Sequence, residues 1–281
     1  MSESRPLGAS RRRLQILHEM GLSPLWQLRE SRAVDRPAPA RPDQTSTAQK
    51  PVARSLASVL VPPANKIDPV AAEDRAEVIS RLDWESLRAS IADCRACRLC
   101  EQRQQAVPGV GDIKADWLFI GEGPGAEEDA RGEPFVGAAG RLLDAMLAAI
   151  DLRRGHDVYI ANAVKCRPPH NRTPEASEIA ACAPYLRRQI VLLQPRLIVL
   201  LGRAAAHALL GEVGSLSGLR GQLLHYRKPE DGGAIPVVVT YHPAYLLRTL
   251  PDKAKSWEDL CRARTLIRAA KARAAQSCTP L

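Results

Sequence analysis

The chain has 281 residues, room for one medium domain with an appendage or for two small ones. Lys and Arg number 40 against 31 Asp and Glu, a formal net charge of +9, and 45% of residues are hydrophobic. That hydrophobic share supports a sizeable core and excludes wholesale disorder, while no apolar run approaches the roughly 18 residues a membrane span needs.

The N-terminus, Met-Ser-Glu-Ser-Arg-Pro, lacks the apolar segment of a secretory signal. Without export, the seven Cys read as metal ligands or redox groups rather than a disulfide framework. A cytoplasmic protein with no membrane partner is expected. The positive balance favours a polyanionic partner, weakly.

Residues 1–80 read as a Pro-rich, largely disordered basic leader and linker. Arg11–Arg29 has the spacing of a short helix that would suit a protein partner or DNA phosphate, though a solvated basic tail is the commoner reading, and Arg36–Lys66 is Pro-, Ala- and Ser-rich with no period. Residues 81–281 form the second unit. Trp84, Leu87 and Ile91 recur at helical spacing and lead into a Cys cluster. Strands are predicted at Trp117–Gly121, Val158–Val164, Leu197–Gly202 and Val237–Tyr241. Helices are predicted at Ala139–Ile150, Pro174–Leu193, Arg203–Leu210 and Asp252–Ala272, with Thr173 as N-cap of the second. Strands alternating with helices imply an α/β fold: a three-layer α/β/α domain around a central, mostly parallel four-stranded sheet. In such sheets ligands sit at the carboxyl ends of the strands. Four sequence clusters fall there: Gly121–Asp129, Asn162–Arg172, Gly202–Arg203 and Tyr241–Arg248.

The first of these, Gly121-Glu-Gly-Pro-Gly-Ala-Glu-Glu-Asp129, formally satisfies a dinucleotide-binding pattern. Four acidic side chains crowd the place of a pyrophosphate, and Pro124 removes an amide needed to cradle it. An acidic Gly-rich loop instead suits the close approach of a flat neutral group. Phe135 lies on a Gly-flanked loop, either in the core or stacked on a planar base. Cys94, Cys97 and Cys100 form C-x-x-C-x-x-C, and Cys166 and Cys182 lie further on. Two plus two thiolates suit tetrahedral zinc or an iron–sulfur cluster, and spacing does not separate these. The last helix carries seven basic against three acidic residues, read as a solvated face or a face near DNA.

Taken together, these motifs resemble the iron–sulfur uracil-DNA glycosylases of the family-4 type. The matching residues are Gly121-Glu-Gly-Pro-Gly with Glu127-Glu-Asp129, Pro134-Phe-Val-Gly137, Asn162-Ala-Val-Lys-Cys-Arg-Pro-Pro169 and His242-Pro-Ala-Tyr-Leu-Leu-Arg248. They span about 90–275 and leave the leader outside. The resemblance implies hydrolysis of the N-glycosidic bond of deoxyuridine in DNA, with a [4Fe–4S] cluster on Cys94, Cys97, Cys166 and Cys182, and Cys100 spare. It implies that Phe135 stacks on the extruded uracil and Asn162 pairs with its polar edge. Glu122 and Gly123 would line the sugar side, Glu128 the C5 position, and His242 would face the leaving base. Glu122 and His242 are the expected catalytic pair.

Following His242, Leu246 is the expected wedge into the duplex, with Leu247 second and with packing in a hairpin-like turn as the alternative for Leu246, and Arg248 is the expected phosphate contact. A related group traps uracil-DNA covalently through an inserted basic loop with an extra His. Gly123 and the short His170-Asn171-Arg172 loop argue against it. The rival readings are a non-catalytic iron–sulfur DNA-binding module that accompanies a polymerase or repair complex, and a zinc-bearing interaction protein. A monomer acting on uracil-containing DNA is expected.

Overall fold

A computed structural model of the chain describes residues 69–211, 214–228 and 232–277. The helix expected over Arg11–Arg29 and the linker Arg36–Lys66 fall outside the described residues.

In chain order the helices α1 (Pro69–Ser80), α2 (Trp84–Ala92) and α3 (Leu99–Gln102) lead into strands β1 (Val110–Gly111) and β2 (Trp117–Gly121). Next come α4 (Ala126–Arg131), α5 (Ala138–Ala148), β3 (Val158–Asn162), a 3-10 turn at Pro169–Asn171, and α6 (Ala176–Leu193). They are followed by β4 (Leu197–Leu201), α7 (Arg203–Leu210), α8 (Leu216–Leu219), β5 (Leu224–Arg227) and β6 (Ala234–Thr240). The chain closes with α9 (Pro243–Leu246), a second 3-10 turn at Leu250–Asp252, and α10 (Lys253–Ser277).

The sheet has six strands in the order β1-β3-β2-β4-β6-β5. Its central four strands, β3, β2, β4 and β6, run parallel and are the four predicted. Antiparallel β1 and β5 add one edge each, which corrects the four-stranded expectation. Both lack the signal that marked the others: β1 is two residues, Val-Gly, and β5 is Leu-His-Tyr-Arg with two exposed polar side chains. Edge strands need no apolar run, because one side faces solvent.

Alternation along β2 assembles the layers. Trp117 and Phe119 face Leu143, Met146 and Leu147 of α5 and Trp257, Leu260 and Ile267 of α10. Leu118 and Ile120 face Leu186, Ile190 and Leu193 of α6 and Ala205 and Ala206 of α7. Each such side chain, fully buried, contributes about 1.5–3 kcal/mol.

Two boundaries differ from expectation. Helix α6 starts at Ala176 rather than Pro174, and Glu175 rather than Thr173 is its N-cap. The Glu178 carboxylate accepts the Glu175 amide at 2.8 Å and is gripped by Arg172 at 2.8 and 2.6 Å, so the capping box forms two residues later. The folded domain also begins earlier than residue 81. Helix α1 packs on α6, and Ile79, 2% exposed, joins Leu87, Ile91 and Tyr185 in a third apolar cluster. The described part of the segment read as leader is therefore a docked helix.

Register aligns the strand ends: Gly121 is opposite Asn162, and Leu201 is opposite Thr240. The loops that follow all open on one edge of the sheet. Helix α10 runs the other way along the fold: Lys271 pairs with Asp116 and Asp157, just before β2 and β3, so the end of its basic face lies at the opposite edge. Among the described residues no helix is long and apolar enough to cross a membrane.

Candidate active site

At the carboxyl edge a cavity of about 420 Å³ is lined by Glu122, Gly123, Glu128, Phe135, Asn162 and His242. All six expected catalytic and base-binding residues thus converge, from the ends of β2, β3 and β6, from α4 and from the loop before α5. Arg248, Tyr245, Asn171 and Arg172 also border this slot, while His170 does not. A second hollow of about 650 Å³ shares Glu122, Thr173, His242 and Tyr245 with it and continues past Arg203 and His207 of α7.

Close backbone approach explains the glycine that ends β2. A Cβ on Gly121 would lie 2.5 Å from both Asn162 Oδ1 and Phe135 Cζ. Phe135 sits in the left-handed region at φ 57°, a conformation unusual for a bulky residue. Two groups hold it there. Arg154 donates to the carbonyls of Pro134 and Phe135, each at 2.8 Å. Glu128 accepts the amides of Val136 and Gly137 at 2.9 and 3.0 Å. The Phe135 ring is 6% exposed and stands 5.4 Å from the His242 ring at 30°. Phe135 belongs to the sheet-facing core and also lines the slot.

Glu128 borders the slot, but its other oxygen accepts the Gly125 amide at 3.0 Å. With both oxygens bound by backbone amides, what it offers an occupant is bulk rather than a free hydrogen-bonding group.

Asn162 is 1% exposed, and its Oδ1 is a buried side-chain polar atom with no hydrogen-bond partner among the described residues. Leaving such a group unsatisfied costs about 1–3 kcal/mol, so a buried acceptor on a slot wall marks the place of a ligand donor. The Asn162 carbonyl is fixed by Lys165 Nζ at 2.8 Å, and that buried ammonium also donates to Gln189 Oε1 at 2.7 Å.

His242 is the N-cap of α9, and its Nδ1 accepts the Ala244 amide at 3.2 Å. Burial, with the nearby Arg248 charge, depresses its pKa from 6.5 to about 4, only partly offset by Glu128. The ring is therefore neutral near pH 7. With Nδ1 accepting, the remaining proton is on Nε2, which makes His242 a neutral donor. Glu122 is pushed the other way: burial raises its pKa, opposed by a hydrogen bond from Thr173. Thr173, freed from helix capping, is a site residue that sequence reasoning assigned elsewhere. Arg154 lies outside the strand-end clusters, and Lys165 lies inside one, Asn162–Arg172, with nothing in its residue type to mark its supporting role.

Leu246 corrects the wedge expectation. The single turn of α9 directs it inward, where it is 0% exposed among Leu143, Met146 and Trp257 of the core. Leu247 and Leu250 point outward at 42% and 56% exposure. Arg248 lies at the slot mouth and donates to the Ala244 carbonyl at 3.0 Å.

The thiols gather behind β3. Cys166 and Cys182 are buried in the third apolar cluster, and Cys94 and Cys97 pack against it, whereas Cys100 does not. Cys261 lies on α10 against the opposite core, and Cys278 falls outside the described residues. Burial raises the Cys97 thiol to about 11 and the Cys182 thiol to about 12, so ionising them together calls for positive charge. Among the described residues no three His, Cys, Asp or Glu form a cage for one metal ion. Four thiols from three segments border one apolar cluster, a donor set that thiolate-bound zinc and iron–sulfur clusters share.

The sequence profile of the uracil DNA glycosylase superfamily matches residues 108–261. A type-4 uracil-DNA glycosylase of Pyrobaculum aerophilum is 43% identical over 183 residues, covering 64% of this chain and 92% of that protein. One from Archaeoglobus fulgidus is 47% identical over 161 residues, 56% of this chain and 79% of that protein. A third, from Thermotoga maritima, is 40% identical over 187 residues, covering 66% and 94%. The profile spans more than half the chain and contains every slot residue from Glu122 to His242, so the chain belongs to the uracil DNA glycosylase superfamily, beside its type-4 members.

Proposed function

We propose that this chain is a uracil-DNA glycosylase: it hydrolyses the N-glycosidic bond of deoxyuridine in DNA, releasing uracil and leaving an abasic site. The observation that carries this reading is the slot itself, with an unpartnered buried amide oxygen on Asn162 and a neutral imidazole on His242 in its walls. The base must leave the stack to reach such a slot, which costs a few kcal/mol. Phe135 supplies the stacking surface. Asn162 reads the edge on which uracil and cytosine differ: its oxygen accepts the uracil N3–H and its amino group donates to O4, a pattern cytosine inverts. The bulk of Glu128 occupies the space a 5-methyl group needs.

As the C–N bond breaks, negative charge grows on the uracil oxygens and positive charge on the sugar. His242 Nε2–H faces the first. Glu122, shared between the slot and the adjoining hollow, stabilises the second and orients the attacking water. Leu247 replaces Leu246 as the side chain offered to the gap left in the duplex, and Arg248 meets phosphate.

Cys94, Cys97, Cys166 and Cys182 hold a [4Fe–4S] cluster in this reading. The group supplies a structural tie between the segment ahead of the sheet and the body of the fold. The non-catalytic DNA-binding alternative is not favoured, since a binding module has no use for an inward-facing acceptor and donor.

Incubation with an oligonucleotide carrying one uracil tests the proposal: free uracil and alkali-labile abasic sites are expected. Tight binding without base release overturns it.

A further inference from the structure

Two arginines that the base slot does not use bridge the thiol pocket. Arg103, just after α3, donates through Nη1 to Cys166 Sγ at 2.8 Å and through Nη2 to the Ala92 carbonyl, two residues before Cys94. Arg75, on α1, donates through Nη1 to the Ala181 carbonyl beside Cys182 at 2.9 Å and through Nη2 to Cys94 Sγ at 3.5 Å. Its guanidinium lies 4.8 Å over the Tyr185 ring. Each fork therefore spans from the Cys94 segment to a distant thiol-bearing element, and each places an N–H on a ligand sulfur. Cys182 Sγ accepts from the Lys165 amide at 3.3 Å.

We propose that Arg75 and Arg103 are clasps for the iron–sulfur cluster: they hold Cys94 and Cys166 in position and supply positive charge to the anionic thiolate shell. The inference rests on the iron–sulfur reading above. Four thiolates drawn into an apolar pocket repel one another, and a guanidinium at hydrogen-bond distance offsets that repulsion. Hydrogen bonds to the sulfurs and local net charge also set a cluster's reduction potential. Arginine suits the task because its planar fork reaches two acceptors at a fixed angle, which the point charge of lysine does not.

The test uses the full chain as purified, in wild-type form and as Arg103→Met, Arg75→Met and Arg103→Lys. Iron content, absorbance near ~400 nm, midpoint potential by spectroelectrochemical titration and the rate of iron loss to a chelator are measured. Both Met variants should have a more negative midpoint, because removing positive charge disfavours the added electron. They should also lose iron faster, by about 10-fold or more, as expected for partners just outside a metal shell. Arg103→Lys should stay near the wild-type midpoint yet shed iron faster. Brown Met variants with wild-type potential and wild-type iron loss overturn the proposal. Where a Met variant is insoluble, Arg103→Lys decides, and wild-type iron retention in it overturns the clasp. A colourless, iron-free wild type removes the iron–sulfur reading itself and this proposal with it, whereas failure with a brown wild type touches the arginines alone.

Discussion

His242→Ala separates the chemistry of the slot from its architecture. With Nδ1 engaged by the Ala244 amide, the ring offers only Nε2–H to a developing uracil anion. Deleting one preorganised donor of that kind costs about 3–4 kcal/mol, a fall of about 10²–10³ in turnover. The same change uncaps α9, a loss of about 0.5–2 kcal/mol in stability. His242→Asn distinguishes the two, since its side-chain oxygen can still accept the Ala244 amide while ending short of the slot. Single-turnover uracil release at saturating enzyme, measured beside thermal melting, is the assay. Both variants should lose turnover to a similar extent with DNA affinity largely intact, and His242→Asn should melt closer to wild type. Turnover of His242→Ala within a few-fold of wild type, or recovery of turnover in His242→Asn, would refute the reasoning.

Titration of the same ring gives a stability signature with a defined sign. Its folded pKa, about 4, lies below the ordinary 6.5, so between these values the unfolded chain binds more protons and stability falls as pH is lowered through that window. The His242→Ala variant should show a weaker loss there in acid denaturation.

Glu122→Gln should lower turnover yet raise the melting temperature, because burial already disfavours the charged carboxylate and the amide is neutral; a lower melting temperature would count against that account. Asn162→Asp should weaken discrimination between uracil and cytosine, read as excision from paired oligonucleotides, and unchanged selectivity would remove its reading role. Leu246→Ala should destabilise the fold by about 2–5 kcal/mol as a core truncation, whereas Leu247→Ala should melt normally and lose excision mainly on duplex DNA. Cys166→Ala should bleach the protein and lower its melting temperature, while Cys100→Ala leaves the ~400 nm absorption in place.

The membership of the slot was legible in the chain because its residues sit on short contiguous motifs at strand ends. Gly121 to Asp129, Asn162 to Pro169 and His242 to Arg248 each carry residues whose type already implies a task. Even so, motif position named a residue without its engagement. Glu128 stood in the right loop, but only the fold shows both of its oxygens bound by the amides of Gly125, Val136 and Gly137. Leu246 and Leu247 are indistinguishable as letters, and one turn of helix sends the first into the core and the second to solvent. Thr173 looked like a helix cap until Glu175 and Glu178 took that role.

The period of the apolar residues, read along the chain alone, determined the four parallel strands, the helices between them and the edge at which a ligand must sit. Local repetition encodes local geometry, and parallel strands buried on both faces require continuous apolar runs. Tertiary structure alone decided the two edge strands, the docking of α1, and the partners of Arg75, Arg103, Arg154 and Lys165. Arg75 meets Ala181 across 106 positions and Arg103 meets Cys166 across 63. An arginine's reach to a sulfur or a carbonyl so far along the chain leaves no periodic trace, because it depends on where separate elements come to rest after the sheet has formed.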